Sequence, residues 1–176
     1  MHEFEGLIPQ EHIKIFQTPL PVAEYDLANA NRARVAELIR EYFLEQLNPD
    51  AVLVTSLFEG YVDDAIISMG KLPASYITSV ILYDLIPYMD QTKYLPLQIQ
   101  RDYYFRKIDS LRQTDLLLAI SQASKEEGQT VLNLSEAKVI NISTAVSDEF
   151  QPIQISIEDQ EVLYAKYNIT RKVVMY

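Results

Sequence analysis

The 176-residue sequence contains no cysteine, only two histidines and only four glycines. Without cysteine there is neither a disulfide frame nor a thiolate metal site. The histidines, His2 and His12, fall in a start that reads as irregular, so a histidine metal centre has no support and Ser-His-Asp chemistry lacks its base. The glycines are nowhere spaced as GxGxxG or GxxxxGK[ST], which removes the fingerprints of dinucleotide and P-loop phosphate binding. No apolar run approaches the ~18 residues that a membrane helix requires, and MHEFEGLIPQ lacks the basic and apolar regions of a signal peptide. A cytosolic location is therefore expected, with no bound metal and no cofactor.

What is present describes an ordinary globular chain. A hydrophobic fraction of 48% with 23% charged residues supports a packed core, and a domain of this length buries roughly 70% of the surface its unfolded form exposes. Fifteen basic against 25 acidic residues give a formal charge of −10, which repels phosphate backbones and anionic membrane surfaces. Nucleic acid is excluded as an expected partner. The composition assigns no oligomeric state.

Short β-branched runs alternate with longer helical patterns. Strands are expected at Ile13–Phe16, Ala51–Thr55, Tyr76–Tyr83, Leu116–Ile120 and Lys138–Ile142, and helices at about 29–47, 95–112 and 121–132. In the first helix Val35, Leu38, Ile39, Tyr42, Phe43 and Leu47 recur at three- and four-residue spacing, which predicts that this stripe is buried. Strand, helix, strand, repeated in this way, predicts an α/β, Rossmann-like parallel sheet with helices on both faces. After Phe150-Gln151-Pro152 the register changes: a helix runs from about Ser156 to Asn168 and Lys172–Tyr176 opens a strand. The expected division is a Rossmann-like domain over 1–150, followed over 151–176 by a linker helix and the start of an absent domain.

In open α/β sheets ligands bind outside the carboxyl ends of the strands. The residues there are Ser56 to Gly60, Asp84 after its strand, Ser121 with Gln122, and Ser143 to Val146. Glu59-Gly60 reads as a strand-to-helix junction whose amides could face an anion or a sugar hydroxyl, or as a plain glycine turn with a solvated acid. Asp63 and Asp64 fit the first turn of the helix that would follow. In VILYDLIPY, Asp84 sits where a buried strand stops, backed by aliphatics and held by Pro87. Such a carboxylate can take a bound hydroxyl or act as a base; an Asx-type turn bonding its own backbone fits the spacing equally. Ser121 suits a helix N-cap better than a nucleophile. Tyr83, Tyr88, Tyr94, Tyr103 and Tyr104 offer aromatic faces suited to sugars, or half-buried packing at helical spacing.

Four blocks, PDAVLVTSLFEGYVDDAI, VILYDLIPYMDQTKYL, YYFRKIDSLRQTDLLLAISQASKEE and KVINISTAVSDEFQP, come in the order and spacing of the N-terminal half of group 1 glycosyltransferases. The chain resembles these retaining enzymes, whose two Rossmann-like domains face each other across a cleft, over about residues 48–176. It looks most like bacterial members with Tyr-Asp-Leu-Ile-Pro where many relatives have His-Asp. The resemblance implies an acceptor-holding N-terminal half, with a nucleotide-sugar donor held mainly by a C-terminal domain. It also implies Glu59 and Gly60 lining the acceptor side, Tyr83 and Asp84 near the reacting sugar, with Asp84 catalytic, and Ser121 at the cleft edge. The implied parent is a hexosyl-type transferase serving polysaccharide biosynthesis on a glycan or cell-surface acceptor; the fragment alone would be inactive. Two departures stand out: Thr144-Ala145-Val146-Ser147 replaces the usual Asn-Gly-Val-Asp, and the family's first strand, with its glycine-rich loop, is missing before Ile13. The alternative is a non-catalytic Rossmann-like module that binds a protein or glycan through the tyrosine-rich helix.

Overall fold

The computed structural model describes residues 6–151 and 154–171. The chain divides into two compact units, Met1–Thr144 and Ala145–Tyr176. The first holds helix α1 (Ala30–Gln46), strands β1 (Ala51–Val54) and β2 (Ile77–Leu82), two single turns α2 (Ile86–Met89) and α3 (Gln91–Tyr94), helix α4 (Gln98–Gln113), strand β3 (Leu116–Ala119), helix α5 (Gln122–Thr130) and strand β4 (Val139–Asn141). The second holds α6 (Ile157–Tyr167). Ser156 caps α6 by accepting from the Asp159 amide at 3.0 Å, and Asn168 ends it in the left-handed region at φ 52°. The strand expected over 172–176 lies outside the described residues.

The four strands form one sheet in the order β1-β2-β3-β4, every pair parallel. The α/β, Rossmann-like class read from the sequence is thus the class observed; helices on both faces were expected, whereas Leu53, Ile77 and Ile140, which alternate with the packed positions of their strands, are exposed. Breakers set the boundaries: Asn48 takes φ 49° and Pro49 follows, so α1 cannot continue into β1. Because successive strands advance steadily in one direction, right-handed crossovers bring their connections to the same face. That face carries Val54, Val80, Leu82, Leu117, Ala119 and Val139, all buried with Tyr104, Ile108 and Leu111 of α4. α5 comes so close that a Cβ on Gly128 would stand 2.9 Å from Leu82 Cδ2 and 3.1 Å from Val139 Cγ1.

Three expectations fail locally. Ile13–Phe16 forms no strand; it is irregular chain, tied down where Phe16 packs against Phe43 at 5.6 Å. The β1–β2 crossover, residues 55–76, contains no helix, because Gly60 and Gly70, both at positive φ, and Pro73 break it into bends. In α1 the buried residues are Ala33, Ala36, Glu37 and Glu41, whereas Val35, Leu38, Ile39 and Tyr42 are exposed. The surface that α1 meets is that polar crossover. Glu41 accepts from Ser68 Oγ at 2.6 Å and from the Lys71 and Leu72 amides at 2.8 Å each, and Arg40 donates to the Ser68 carbonyl at 3.0 Å.

Below the crossover lies a set of buried charges. Glu24 pairs with Arg34 at 3.1 Å and with Arg106, and Lys107 donates to the Ile67 carbonyl. Burial pushes Glu37 above the usual carboxylate range, an effect opposed chiefly by the nearby Lys107. Burial likewise pulls Lys107 down to about 8, with Glu37 and Glu24 opposing.

Candidate functional site at the carboxyl edge of the sheet

Parallel pairing places the ends of all four strands along one edge, and at ~4.8 Å between strands that rim is ~14 Å long. Ser56 to Gly60 leave β1, Tyr83 and Asp84 leave β2, Ser121 leaves β3 and Ser143 leaves β4. The topology therefore brings the residues singled out in the sequence to one edge.

Glu59 is exposed, and its Oε1 accepts from Ser56 Oγ at 2.7 Å. Its carbonyl receives the Tyr103 hydroxyl at 2.8 Å, fixing the backbone of the turn. Gly60 is buried at φ 98°, and a Cβ there would meet the Ala65 carbonyl oxygen at 2.3 Å, so the turn admits only glycine. No helix starts after it. Asp63 instead accepts from the Ala65 amide at 2.8 Å, and Asp64 Oδ1 accepts from the Val22 and Ala23 amides at 2.6 and 3.0 Å. These two acids hold loop backbone and not a helix dipole, correcting the expectation for both.

Asp84 is exposed, and its Oδ1 accepts from the Ile86 amide at 3.0 Å. This is the Asx turn weighed above, and it leaves Oδ2 outside that bond. Tyr83 is exposed, while its carbonyl receives Ser124 Oγ. The next amide, Leu85 N–H, donates to Glu127 Oε2 at 2.9 Å. Ser124 and Glu127, both on α5, thus grip the backbone on either side of Asp84. Ser121 is the N-cap of α5: its Oγ accepts from the Ser124 amide at 3.1 Å and lies 3.0 Å from Ser124 Oγ.

The tyrosines disperse. Tyr103 and Tyr104 are buried in α4, against Tyr61 at 5.2 Å and stacked on Phe58 at 4.7 Å. Tyr88 packs edge-on against Phe105 at 5.7 Å, and Tyr94 is exposed. Tyr103, Tyr104 and Tyr88 serve packing, whereas Tyr83 and Tyr94 are exposed. Burial and then the charges of Asp84 and Glu127 hold the Tyr104 hydroxyl above its ordinary pKa. Glu127 and Ser124 are members of the site neighbourhood that sequence reasoning missed.

A cavity of about 330 Å³ lies at the opposite edge, lined by Glu41, Tyr76, Thr78, Gln113 and Asp115 among others. Tyr76 and Asp115 immediately precede β2 and β3. Its acids are occupied: Glu41 as above, and Asp115 Oδ2 by the Thr78 amide at 2.8 Å and hydroxyl at 2.7 Å. Those bonds hold Asp115 below its ordinary pKa of 3.8.

Comparison with known proteins bears on what the rim serves. Over 172 residues the chain is 29% identical to the serotype-specific mannosyltransferase WbdA of Escherichia coli, which covers 98% of this chain and 21% of the relative. A second WbdA from the same species is 29% identical with 98% and 20% coverage, and a third is 28% identical with 98% and 21%. The chain is related to a stretch of a glycosyltransferase. It spans about one-fifth of the length of these relatives. No family model matches it, and no solved structure does. Among the described residues no group of His, Asp or Glu is placed to hold a metal ion, and no helix is long and apolar enough to cross a membrane.

Proposed function

We propose that this chain is the acceptor-side part of a retaining glycosyltransferase that moves a hexose, mannose by analogy with the relatives' names, from a nucleotide sugar to a glycan acceptor. The carrying observation is that a stretch related to mannosyltransferases folds as a parallel sheet whose carboxyl edge gathers Glu59, Gly60, Tyr83, Asp84 and Ser121. Asp84 is the group assigned to the reacting sugar. Its Oδ1 is spent on the Ile86 amide, which fixes the carboxylate, and Oδ2 accepts a sugar hydroxyl in a charge-assisted hydrogen bond. Glu59 and the Gly60 turn shape the acceptor side, with Tyr83 and Ser121 bordering it. In this reading residues 151–176 lead toward a domain that supplies the donor site, so the 176 residues alone turn over no sugar.

The test is to assay the full-length protein with mannose-bearing and other nucleotide sugars, then to repeat with Asp84→Asn. A fall in kcat/KM of at least ~10-fold is expected, the smallest effect typical of losing a positioned charged group. An unchanged kcat/KM would remove Asp84 from the mechanism. The alternative, a binding module built on the tyrosine-rich helix, loses its surface because Tyr103 and Tyr104 are buried.

A further inference from the structure

Three consecutive carbonyls of the turn after β1 are taken by donors from distant parts of the chain. Glu59 receives the Tyr103 hydroxyl at 2.8 Å, Gly60 the Glu24 amide at 3.0 Å and Tyr61 the Tyr25 amide at 2.9 Å. Two of these donors belong to an irregular strap, residues 22–25, whose other two amides, those of Val22 and Ala23, end on Asp64 Oδ1. Four successive amides of the strap thus all donate into residues 60–64. The strap is itself built in: Val22 is fully buried with Ala33 and Ala36 of α1 and with Ile66, and the Asn29 side-chain amide donates to the Ala23 carbonyl at 3.0 Å. Glu24 is its anchor, because its buried carboxylate pairs with Arg34 of α1 and Arg106 of α4 while its amide holds Gly60. Arg106 also lies 6.0 Å from the Tyr103 ring centroid, within cation–π range, so one arginine joins the two grips on the turn.

We infer that Glu24 and Tyr103 are positioning residues for the acceptor. Both are buried, so neither touches a sugar; they set the shape of the turn at Glu59 and Gly60 that meets it. The inference rests on the acceptor-side reading proposed above. An apolar residue in place of Glu24 would serve stability as well; what the two ion pairs add is one fixed place for the amide that meets Gly60. The turn has little freedom of its own, since Gly60 is held at φ 98° with the Ala65 carbonyl closing the space beside it. Releasing one carbonyl therefore shifts the turn as a whole, and a displacement of ~1 Å at a binding group is enough to spoil its fit to a substrate. A surface that holds the acceptor equally in ground and transition states governs KM and leaves kcat alone. A purely structural residue behaves otherwise: its loss lowers the folded fraction, so apparent kcat falls and KM stays.

The test uses the full-length protein with a mannose-bearing nucleotide sugar and, as acceptor, whichever of the tagged mannose, galactose and glucose disaccharide glycosides it turns over fastest. Tyr103→Phe removes only the hydroxyl on Glu59 and keeps the ring against Tyr61; Glu24→Gln removes the charge that anchors the strap. Acceptor KM should rise ~5-fold in Tyr103→Phe, the size of one lost hydrogen bond, and ~10-fold in Glu24→Gln, where charged bonds are lost. Donor KM should stay within ~2-fold in both, and kcat should follow the folded fraction. Asp115→Asn, at the other edge, is the control for loosening of the fold and should leave acceptor KM unchanged. Acceptor KM unchanged in Tyr103→Phe overturns the inference and leaves the transferase reading standing, as does a rise of equal size in Asp115→Asn. A parent protein that transfers no hexose to any of these glycosides removes both. Should Glu24→Gln not fold, Tyr103→Phe decides alone.

Discussion

The two edges of the sheet carry acids in opposite states. At the amino edge Glu41 and Asp115 line a hollow of about 330 Å³, yet each is consumed by protein donors: three on Glu41 and two on one oxygen of Asp115. At the carboxyl edge Asp84 and Glu59 are exposed, and each keeps one oxygen outside its local bond. The first arrangement holds the chain together, and the second leaves acceptors for something else.

If this contrast is right, substitutions at the amino edge cost stability and those at the carboxyl rim cost activity. The largest stability loss is expected from Glu41→Ala, which strands the Ser68 hydroxyl and two loop amides; about 3 kcal/mol or more should be lost in urea unfolding. Lys107→Met, which removes the buried cation beneath the crossover and leaves Glu37 without its main opposing charge, should cost about 3 kcal/mol, much of it recovered in the double variant Glu37→Leu/Lys107→Met. It also changes the alkaline limb. Lys107 titrates at about 8 when folded and near 10.5 when unfolded, so the unfolded state holds more protons between those values and this group makes stability rise with pH there; Lys107→Met should remove that rise.

Glu127→Ala should cost about 1 to 2 kcal/mol by freeing the Leu85 amide. Because that bond holds the backbone beside Asp84, it should also lower kcat/KM in the full-length protein, an effect that Glu127→Gln partly restores. Asp115→Asn is smaller, about 1 kcal/mol, since the residue is exposed and screened. Its folded pKa is depressed, so its contribution is present above the unfolded value of 3.8 and lost as pH falls through the folded one. The variant should therefore flatten the acid limb of the stability curve below about pH 4.

Much of the sheet was legible because aliphatic runs such as Leu116–Ala119 are bounded by turn and cap residues, Asp115 before and Ser121 after. The irregular crossover was missed because strand alternation suggests a helix between β1 and β2, whereas Gly60, Gly70 and Pro73 forbid a long one. α1 shows the limit of periodicity: it identifies the apolar stripe correctly, but which stripe is buried depends on what the helix meets. At the site, the strand ends named the rim, and Asp84 was visible as an acid after a buried run. Glu127 was not, because its bond to Leu85 spans 42 residues and leaves no local pattern.

The most direct measurement pairs one acid from each edge in the full-length protein, recording Tm and kcat/KM with a nucleotide sugar for Asp84→Asn and Asp115→Asn. The account predicts that Asp84→Asn keeps the parental Tm and loses at least ~10-fold in kcat/KM, while Asp115→Asn lowers Tm by a few degrees, ~2–4 °C for a fold of this size, and keeps its turnover. The reverse pattern, with activity following Asp115 and indifferent to Asp84, would contradict it.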